Sequence, residues 1–226
     1  MSATNPRFAV ILSGCGFMDG SEIQESVLTL LAIRKAGASY QCFAPDSPQH
    51  HVSNHLTQEM VQEERNVLVE SARIARGQIL PLSEYNAAAF DALVLPGGFG
   101  AAANLSDFID NGDRCSVQAD VENAVKATHA AGKPIGALCI APVVLGRLLP
   151  GVELTIGNDA AVNAALRNMG ASPVDAGPTD IVIDAEQKVV TSPCYMYDSS
   201  IDQIAEGAER AVGALIKLLK KAQVST

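Results

Sequence analysis

The chain has 226 residues, of which 48% are hydrophobic and 18% charged, and its formal net charge is −9. This size and composition predict one globular domain over residues 1–226. A nucleic-acid binder needs a basic surface against the phosphates, so the acidic balance excludes that class. A membrane protein is also excluded, because no uncharged apolar run reaches membrane-spanning length.

The five cysteines and the first residues of the chain bear on the cellular compartment. The cysteines are widely spaced and form no C-x-x-C pair, which argues against a disulfide framework and a structural zinc site. Residues 1–7 lack the charged and apolar regions of a secretory signal peptide. We therefore expect reduced thiols and a cytoplasmic protein.

Apolar runs alternate with amphipathic segments along the chain. Strands are predicted at residues 8–12, 40–44, 92–95, 134–138 and 154–156, and as a hairpin at 181–183 and 189–191. Helices are predicted at residues 21–35 (with Ser21 as N-cap), 66–76, 117–131, 141–145, 160–169 and 201–222. The segment 45–63 is polar and is predicted to be irregular. The alternation predicts an α/β fold, with a mainly parallel sheet covered by helices on both faces.

Three loops are predicted to converge beyond the carboxyl ends of these strands, where ligands bind in such sheets. They are residues 13–20, residues 96–100 and the turn at Cys139. Cys139 lies between an apolar strand and a helix start, with the small residues Ala137 and Ala141 two positions away on each side. This pattern is typical of a nucleophile elbow with cysteine in place of serine, although a buried, inert thiol is equally compatible with it.

The predicted partners of Cys139 come from the other two loops. The turn at Gly97 and Gly98 can bring bare N–H groups to a ligand and, with the N–H of Ile140, form an oxyanion hole. Glu25 shares a helix face with apolar residues, and desolvation there would favour its protonated form. An acid in a first helical turn is also explained by the helix dipole alone, and this explanation suits Glu22 better than Glu25. A helix N-terminus next to Cys139 predicts a lowered thiol pKa.

The first glycine loop offers an alternative function. Residues 14–20 have the pattern G-x-G-x-x-x-G, one residue longer than the usual dinucleotide fingerprint. A nucleotide-dependent oxidoreductase is therefore kept as a minor hypothesis, which calorimetry with NAD(P) would test.

The chain resembles the ElbB family, which is named for isoprenoid (lycopene) biosynthesis and belongs to the ThiJ/PfpI branch of the class I glutamine amidotransferase-like superfamily. The resemblance runs from about residue 8 to the last helix, and six segments carry it: residues 10–16, 19–23, 54–57, 95–100, 139–142 and 154–157. It implies a flavodoxin-like three-layer sandwich. It also implies a cofactor-independent glyoxalase activity, from glyoxal to glycolate and from methylglyoxal to lactate.

The resemblance also implies roles for individual residues. Cys139 matches the family nucleophile, and the Gly97-Gly98 turn matches the loop on the oxyanion side. Superfamily members place a glutamate twelve residues before the glycine that ends the first helix, and counting back from Gly37 gives Glu25. Cys15 and Tyr195 are predicted to line the pocket.

The chain departs from related enzymes in its histidines. PfpI-type peptidases have histidine directly after the cysteine, where this chain has Ile140, and the four histidines all precede Cys139. Without a base of the usual kind, peptidase and glutaminase activity are not expected. A Cys139–Glu25 pair suits a small 1,2-dicarbonyl and requires no metal, glutathione or nucleotide. The rival hypothesis is a redox-sensing or regulatory module with little catalysis, linked to isoprenoid biosynthesis. The resemblance further suggests a homo-oligomer, most simply a dimer.

Overall fold

Eleven strands and eight α-helices follow one another in residues 5–224, the part of the chain that the computed structural model describes, with side chains described up to residue 220. Residues 1–4, from the N-terminal segment discussed above, and residues 225–226 lie outside it. The strands are β1 (Arg7–Ile11), β2 (Ser39–Ala44), β3 (Val52–Asn54), β4 (Glu59–Val61), β5 (Ile79–Pro81), β6 (Ala92–Leu95), β7 (Ile135–Leu138), β8 (Glu153–Leu154), β9 (Ser172–Pro173), β10 (Val182–Asp184) and β11 (Val189–Ser192). The helices are α1 (Ile23–Lys35), α2 (Val67–Ile74), α3 (Gly100–Ala103), α4 (Phe108–Asn111), α5 (Ala119–Ala130), α6 (Pro142–Leu148), α7 (Ala160–Asn168) and α8 (Ile201–Val224).

Seven strands form the central sheet, in the order β10-β11-β7-β6-β1-β2-β5. The pairs within it are parallel except for β10 with β11, whose antiparallel register places Ile183 opposite Val190. The predicted mainly parallel α/β sheet is confirmed, and so is the hairpin at its edge. Strands β6, β7 and β1 are buried because both faces of the sheet are covered.

The helices form the outer layers of a flavodoxin-like sandwich. Helix α1 packs against α8 and α2, while α5 packs against α6, β6 and β7. Crossovers between parallel strands are right-handed. The connection β1–α1–β2 moves towards one edge of the sheet and the connection β6–α5–β7 moves towards the other, so α1 and α5 lie on opposite faces. The carboxyl ends of β1, β6, β7 and β11 therefore meet at one edge, and the site lies there.

Four local predictions need correction. The N-cap of α1 is Glu22, whose side chain accepts a hydrogen bond from the N–H of Glu25. Ser21 instead accepts from the N–H of Ser13 at 2.8 Å and so ties down the first glycine loop. The segment predicted to be irregular contains the β3–β4 hairpin, and β5 was not predicted. The strand predicted at 154–156 is only the two-residue β8, which pairs with β9 outside the main sheet.

Candidate active site

Cys139 occupies the sharp turn between β7 and α6. Its φ of +58° lies in the left-handed region, where a residue with a Cβ is strained, and its N–H donates to the Ser192 carbonyl at 2.9 Å. Ala137 and Ala141 are completely buried on either side, so the turn has no space for larger neighbours. Hydrogen bonding and packing thus hold the sulfur in one position at the end of the strand.

The Cys139 sulfur faces a small cavity of about 90 Å³, of which Glu22, Gly98, Ile140 and Tyr195 form part of the wall. Burial raises the pKa of the Cys139 thiol, and the backbone N–H groups of Gly98 and Ile140, which both face this sulfur, only partly oppose that rise. Two converging N–H groups beside a nucleophile are suited to hold an oxyanion. Pockets for drug-sized ligands measure roughly 300–1,000 Å³, so the cavity admits only a small molecule.

Glu25 lies beneath the cysteine and is fully buried in the first turn of α1. One carboxyl oxygen, Oε1, accepts from the N–H of Tyr195 at 3.0 Å. The other, Oε2, has no well-aligned donor among residues 5–224 and lies near the Cys139 thiol and the Gly97 N–H. A methyl group on Gly97 would come within 2.3 Å of both Oε2 and the Cys139 Cβ. Only glycine at position 97 therefore lets the acid and the thiol meet.

Burial controls the protonation of this pair. Desolvation raises the pKa of Glu25 to about 8, against the hydrogen bond from Tyr195. Desolvation also raises the pKa of the Cys139 thiol, and a charge on Glu25 raises it further. The prediction that the helix N-terminus lowers the thiol pKa is therefore wrong, because the effect of burial outweighs that of the two N–H groups. This result also weakens the redox-sensor hypothesis, which needs an accessible thiol of low pKa.

Comparison with known proteins identifies the family. The model of the DJ-1/PfpI family matches residues 17–198. The chain belongs to the DJ-1/PfpI family. Among curated proteins it is 43% identical to the rat "ES1 protein homolog, mitochondrial" over 228 residues, covering 96% of this chain and 84% of the relative. It is 43% identical over 225 residues to the human "Glutamine amidotransferase-like class 1 domain-containing protein 3, mitochondrial", covering 95% and 84%.

A solved structure is also similar over nearly its whole length. It is described as an isoprenoid biosynthesis protein with an amidotransferase-like domain, from Ehrlichia chaffeensis. The TM-score is 0.87 at 37% sequence identity, covering 93% of this chain and 99% of the other. The family model establishes the DJ-1/PfpI family, the solved structure supports the amidotransferase-like fold, and the names of these relatives do not include ElbB.

Two glycine loops of this DJ-1/PfpI protein pack against each other beside the site. A side chain at Gly98 would come within 2.3 Å of the Glu22 nitrogen, and one at Gly100 within 2.5 Å of the Ser13 carbonyl oxygen. In the first loop, a side chain at Gly16 would meet the His55 ring at 2.4 Å. The space above these glycines is filled by protein atoms, and the Glu22 carboxylate caps α1. This arrangement speaks against the nucleotide hypothesis, since a pyrophosphate needs open N–H groups there.

The structure brings most of the predicted site residues together, but not Cys15. Gly98, Cys139, Ile140 and Tyr195 contact the cavity, and Glu25 and Gly97 lie directly behind it. Cys15 lines a different groove, between α1 and α2, because the first glycine loop turns its side chain away from the elbow. The prediction that Cys15 lines the same pocket is therefore wrong.

The sequence reasoning missed four residues of the cavity wall, which are Phe17, Glu22, Phe99 and Met196. Phe17 and Phe99 each follow a loop glycine and remain about half exposed, at 45% and 47%. A large aromatic residue in a glycine-rich loop at the ligand edge was a usable signal for both. Glu22 had been explained by the helix dipole alone, and no local pattern marks Met196.

Two further findings concern residues 5–224. No helix there is both long enough and apolar enough to cross a bilayer. No group of three histidine, cysteine, aspartate or glutamate side chains in that range is arranged to hold a metal ion.

Proposed function

We propose that this protein is a cofactor-independent glyoxalase of the ElbB type. It would convert glyoxal, and methylglyoxal as a second substrate, into the 2-hydroxy acid. The observation that supports this best is the combination at the elbow. A strained thiol faces a small cavity, two N–H groups lie beside it and a buried carboxyl group lies behind it, and no histidine among the described side chains lies in the cavity wall. An amide substrate would require a histidine-type acid to protonate its leaving group, whereas addition to an aldehyde expels no leaving group.

The proposed reaction is an internal oxidation and reduction. Glu25 takes the thiol proton while the Cys139 sulfur bonds to one aldehyde carbon, and the N–H groups of Gly98 and Ile140 hold the oxyanion. Glu25 then returns the proton to that oxygen, which gives a hemithioacetal. Isomerisation through an enediol yields a 2-hydroxy thioester. Water breaks its carbon–sulfur bond and releases the acid and the free thiol.

The test is product formation by the purified protein, without added glutathione or nucleotide and with a metal chelator present. We expect carbon-13-labelled glyoxal to be converted to labelled glycolate, as followed by NMR. The blank is the Cys139→Ala variant at the same concentration. If the wild-type protein formed no more glycolate than this blank, the proposed function would be refuted.

The cellular setting is also part of the proposal. All five thiols are free, which supports a reducing compartment such as the cytoplasm. The names of the rat and human relatives place those two proteins in mitochondria.

A homodimer is proposed for the assembly. Ile23, Val27 and Leu31 form an apolar stripe on α1, and each is nearly half exposed. Light scattering would measure the mass in solution, and Val27→Asp would shift a dimer that uses this stripe towards the monomer.

A further inference from the structure

The carboxyl group that faces the substrate space is not the one predicted to do so. Glu25 touches the Cys139 sulfur from below, but it is completely buried and is not part of the cavity wall. Glu22, one helical turn earlier, lies in that wall together with Cys139, Gly98 and Tyr195. A small molecule bonded to the sulfur would therefore extend towards Glu22, while Glu25 would reach only the atoms next to the sulfur.

The backbone around Glu22 holds its carboxyl group in place. Its Oε2 accepts from the N–H of Glu25 at 2.5 Å, and its own N–H donates to the Gly97 carbonyl at 2.8 Å. Burial raises the pKa of Glu22, against the hydrogen bonds from the N–H groups of α1. The N–H groups of the first turn thus fix this carboxyl group at the cavity.

The proposed reaction needs two kinds of proton transfer at two places. One proton moves between sulfur and oxygen when the hemithioacetal forms. The other moves from the sulfur-bound carbon to its neighbour, and a single carboxyl group beneath the sulfur is not placed to reach both carbons. We propose that Glu22 is the catalytic base that transfers this carbon-bound proton, while Glu25 serves the thiol. This inference rests on the proposed glyoxalase function.

The step balances without any co-reactant. Glu22 takes the proton from the sulfur-bound carbon, and the electron pair of that C–H bond becomes the C=C bond of the enediol. The π electron pair of the neighbouring C=O bond moves to its oxygen. The neighbouring carbon then takes the proton back from Glu22, while the hydroxyl group on the sulfur-bound carbon becomes the thioester carbonyl. Its hydroxyl proton ends on the oxygen of the neighbouring carbon. One carbon is oxidised by two electrons, and the other is reduced by two.

The test variant is Glu22→Gln, which keeps the cap and removes the base. Gln118 caps α5 with the same spacing, its side-chain oxygen accepting from the Val121 N–H at 3.0 Å, so an amide can serve at this position in this chain. We expect the hemithioacetal on Cys139 still to form, as detected by native mass spectrometry at saturating glyoxal. Glycolate formation should fall by about 10²–10⁴-fold, the usual contribution of a general base. Glu22→Asp should restore part of the activity.

The matched control is Asp159→Asn, which changes an exposed cap of α7 that accepts from the Val162 N–H at 2.9 Å. This variant should retain wild-type activity. A second readout uses the wild-type protein in D₂O. Because Glu22 is only partly buried, its proton exchanges with solvent, and one deuterium should enter the methylene group of glycolate.

Three outcomes separate this inference from the function on which it rests. Wild-type turnover in Glu22→Gln, or glycolate without deuterium, overturns the role of Glu22 and leaves the glyoxalase function standing. Full activity in Cys139→Ala overturns the function itself. If Glu22→Gln failed to fold, as judged by circular dichroism, Glu22→Ser would keep the cap through its hydroxyl group and should show the same loss of turnover.

Discussion

Two cysteines of this protein share almost every property that is used to recognise a nucleophile. Cys139 and Cys194 both have a positive φ, at +58° and +44°, and both are buried. Burial raises the pKa of both thiols, and a charge on Glu25 raises both further. Only Cys139 opens onto a cavity and has two N–H groups facing its sulfur, whereas Cys194 donates to the Ser192 hydroxyl at 3.7 Å and packs against Gly207. Strain, burial and a nearby carboxylate therefore do not identify a nucleophile, and the access of a substrate does.

The strongest test of this comparison removes each thiol in turn. Cys139→Ala should reduce glyoxal consumption to the rate of the blank, because no other thiol reaches the cavity. Cys194→Ala should keep nearly wild-type turnover, since its sulfur contacts only protein atoms. Glycolate formed per minute at equal protein concentration measures both. Equal losses in the two variants would show that the cavity does not distinguish them.

The next largest effect is expected from replacing Glu25, whose charge raises the pKa of both thiols. Glu25→Gln keeps an acceptor for the Tyr195 N–H but cannot take the thiol proton. We expect turnover to fall by about 10²–10⁴-fold, as for other lost general bases. Steady-state kinetics on glyoxal provide the measurement. Turnover equal to that of the wild type would remove Glu25 from the mechanism.

The glycine beside each cysteine allows a matched pair of variants. Gly97→Ala would place a methyl group 2.3 Å from both the Cys139 Cβ and Glu25 Oε2, which must separate them. A displacement of this kind costs about 10²-fold in rate. Gly207→Ala places its methyl group 3.0 Å from the Ser192 hydroxyl oxygen and 3.3 Å from the Cys194 sulfur, where small shifts suffice, and turnover should be preserved. The reverse order of effects would contradict the assignment of Cys139.

The smallest expected effect is on the pH dependence. Burial raises the pKa of Glu25 to about 8, and the proposed mechanism uses its ionised form. Below that pH, kcat/KM should fall roughly tenfold per pH unit, because the ionised fraction falls by that factor. The profile is measured between pH 6 and pH 9 after subtraction of the Cys139→Ala rate, which corrects for the reaction of glyoxal with hydroxide. Activity that rises towards low pH would contradict a base of this pKa.

Short sequence patterns were sufficient to predict the sharp turn at Cys139 and most strands of the sheet. Alternating apolar runs gave the strands that flank Cys139, and the small residues at 137 and 141 indicated the sharp turn. Counting back from Gly37 to Glu25 used the resemblance and not the residues alone. These predictions worked because each depends on a short stretch of chain.

The errors come from contacts between distant segments. Cys15 lies in a glycine loop of the site, but the direction of its side chain is set by packing of that loop against Gly98 and Gly100. Glu22, and not Ser21, is the N-cap of α1, because the Ser21 hydroxyl group accepts a hydrogen bond from the N–H of Ser13 across the loop. The thiol pKa was expected to be low because the sequence shows the helix start and not the depth of burial. In each case the outcome depends on atoms that are distant in the sequence, or on how deeply the group is buried away from solvent.

The packing of the two glycine loops has a consequence for how this site can change over evolution. The part of the cavity wall next to the sulfur is backbone, fixed by contacts at Gly97, Gly98 and Gly100 that tolerate no added atom. The outer part consists of the side chains of Phe17, Phe99, Tyr195 and Met196. New substrate sizes are therefore accessible through single exchanges at these four positions, while the reacting groups remain in place. A lineage could diversify what this pocket accepts long before it altered the reaction performed there.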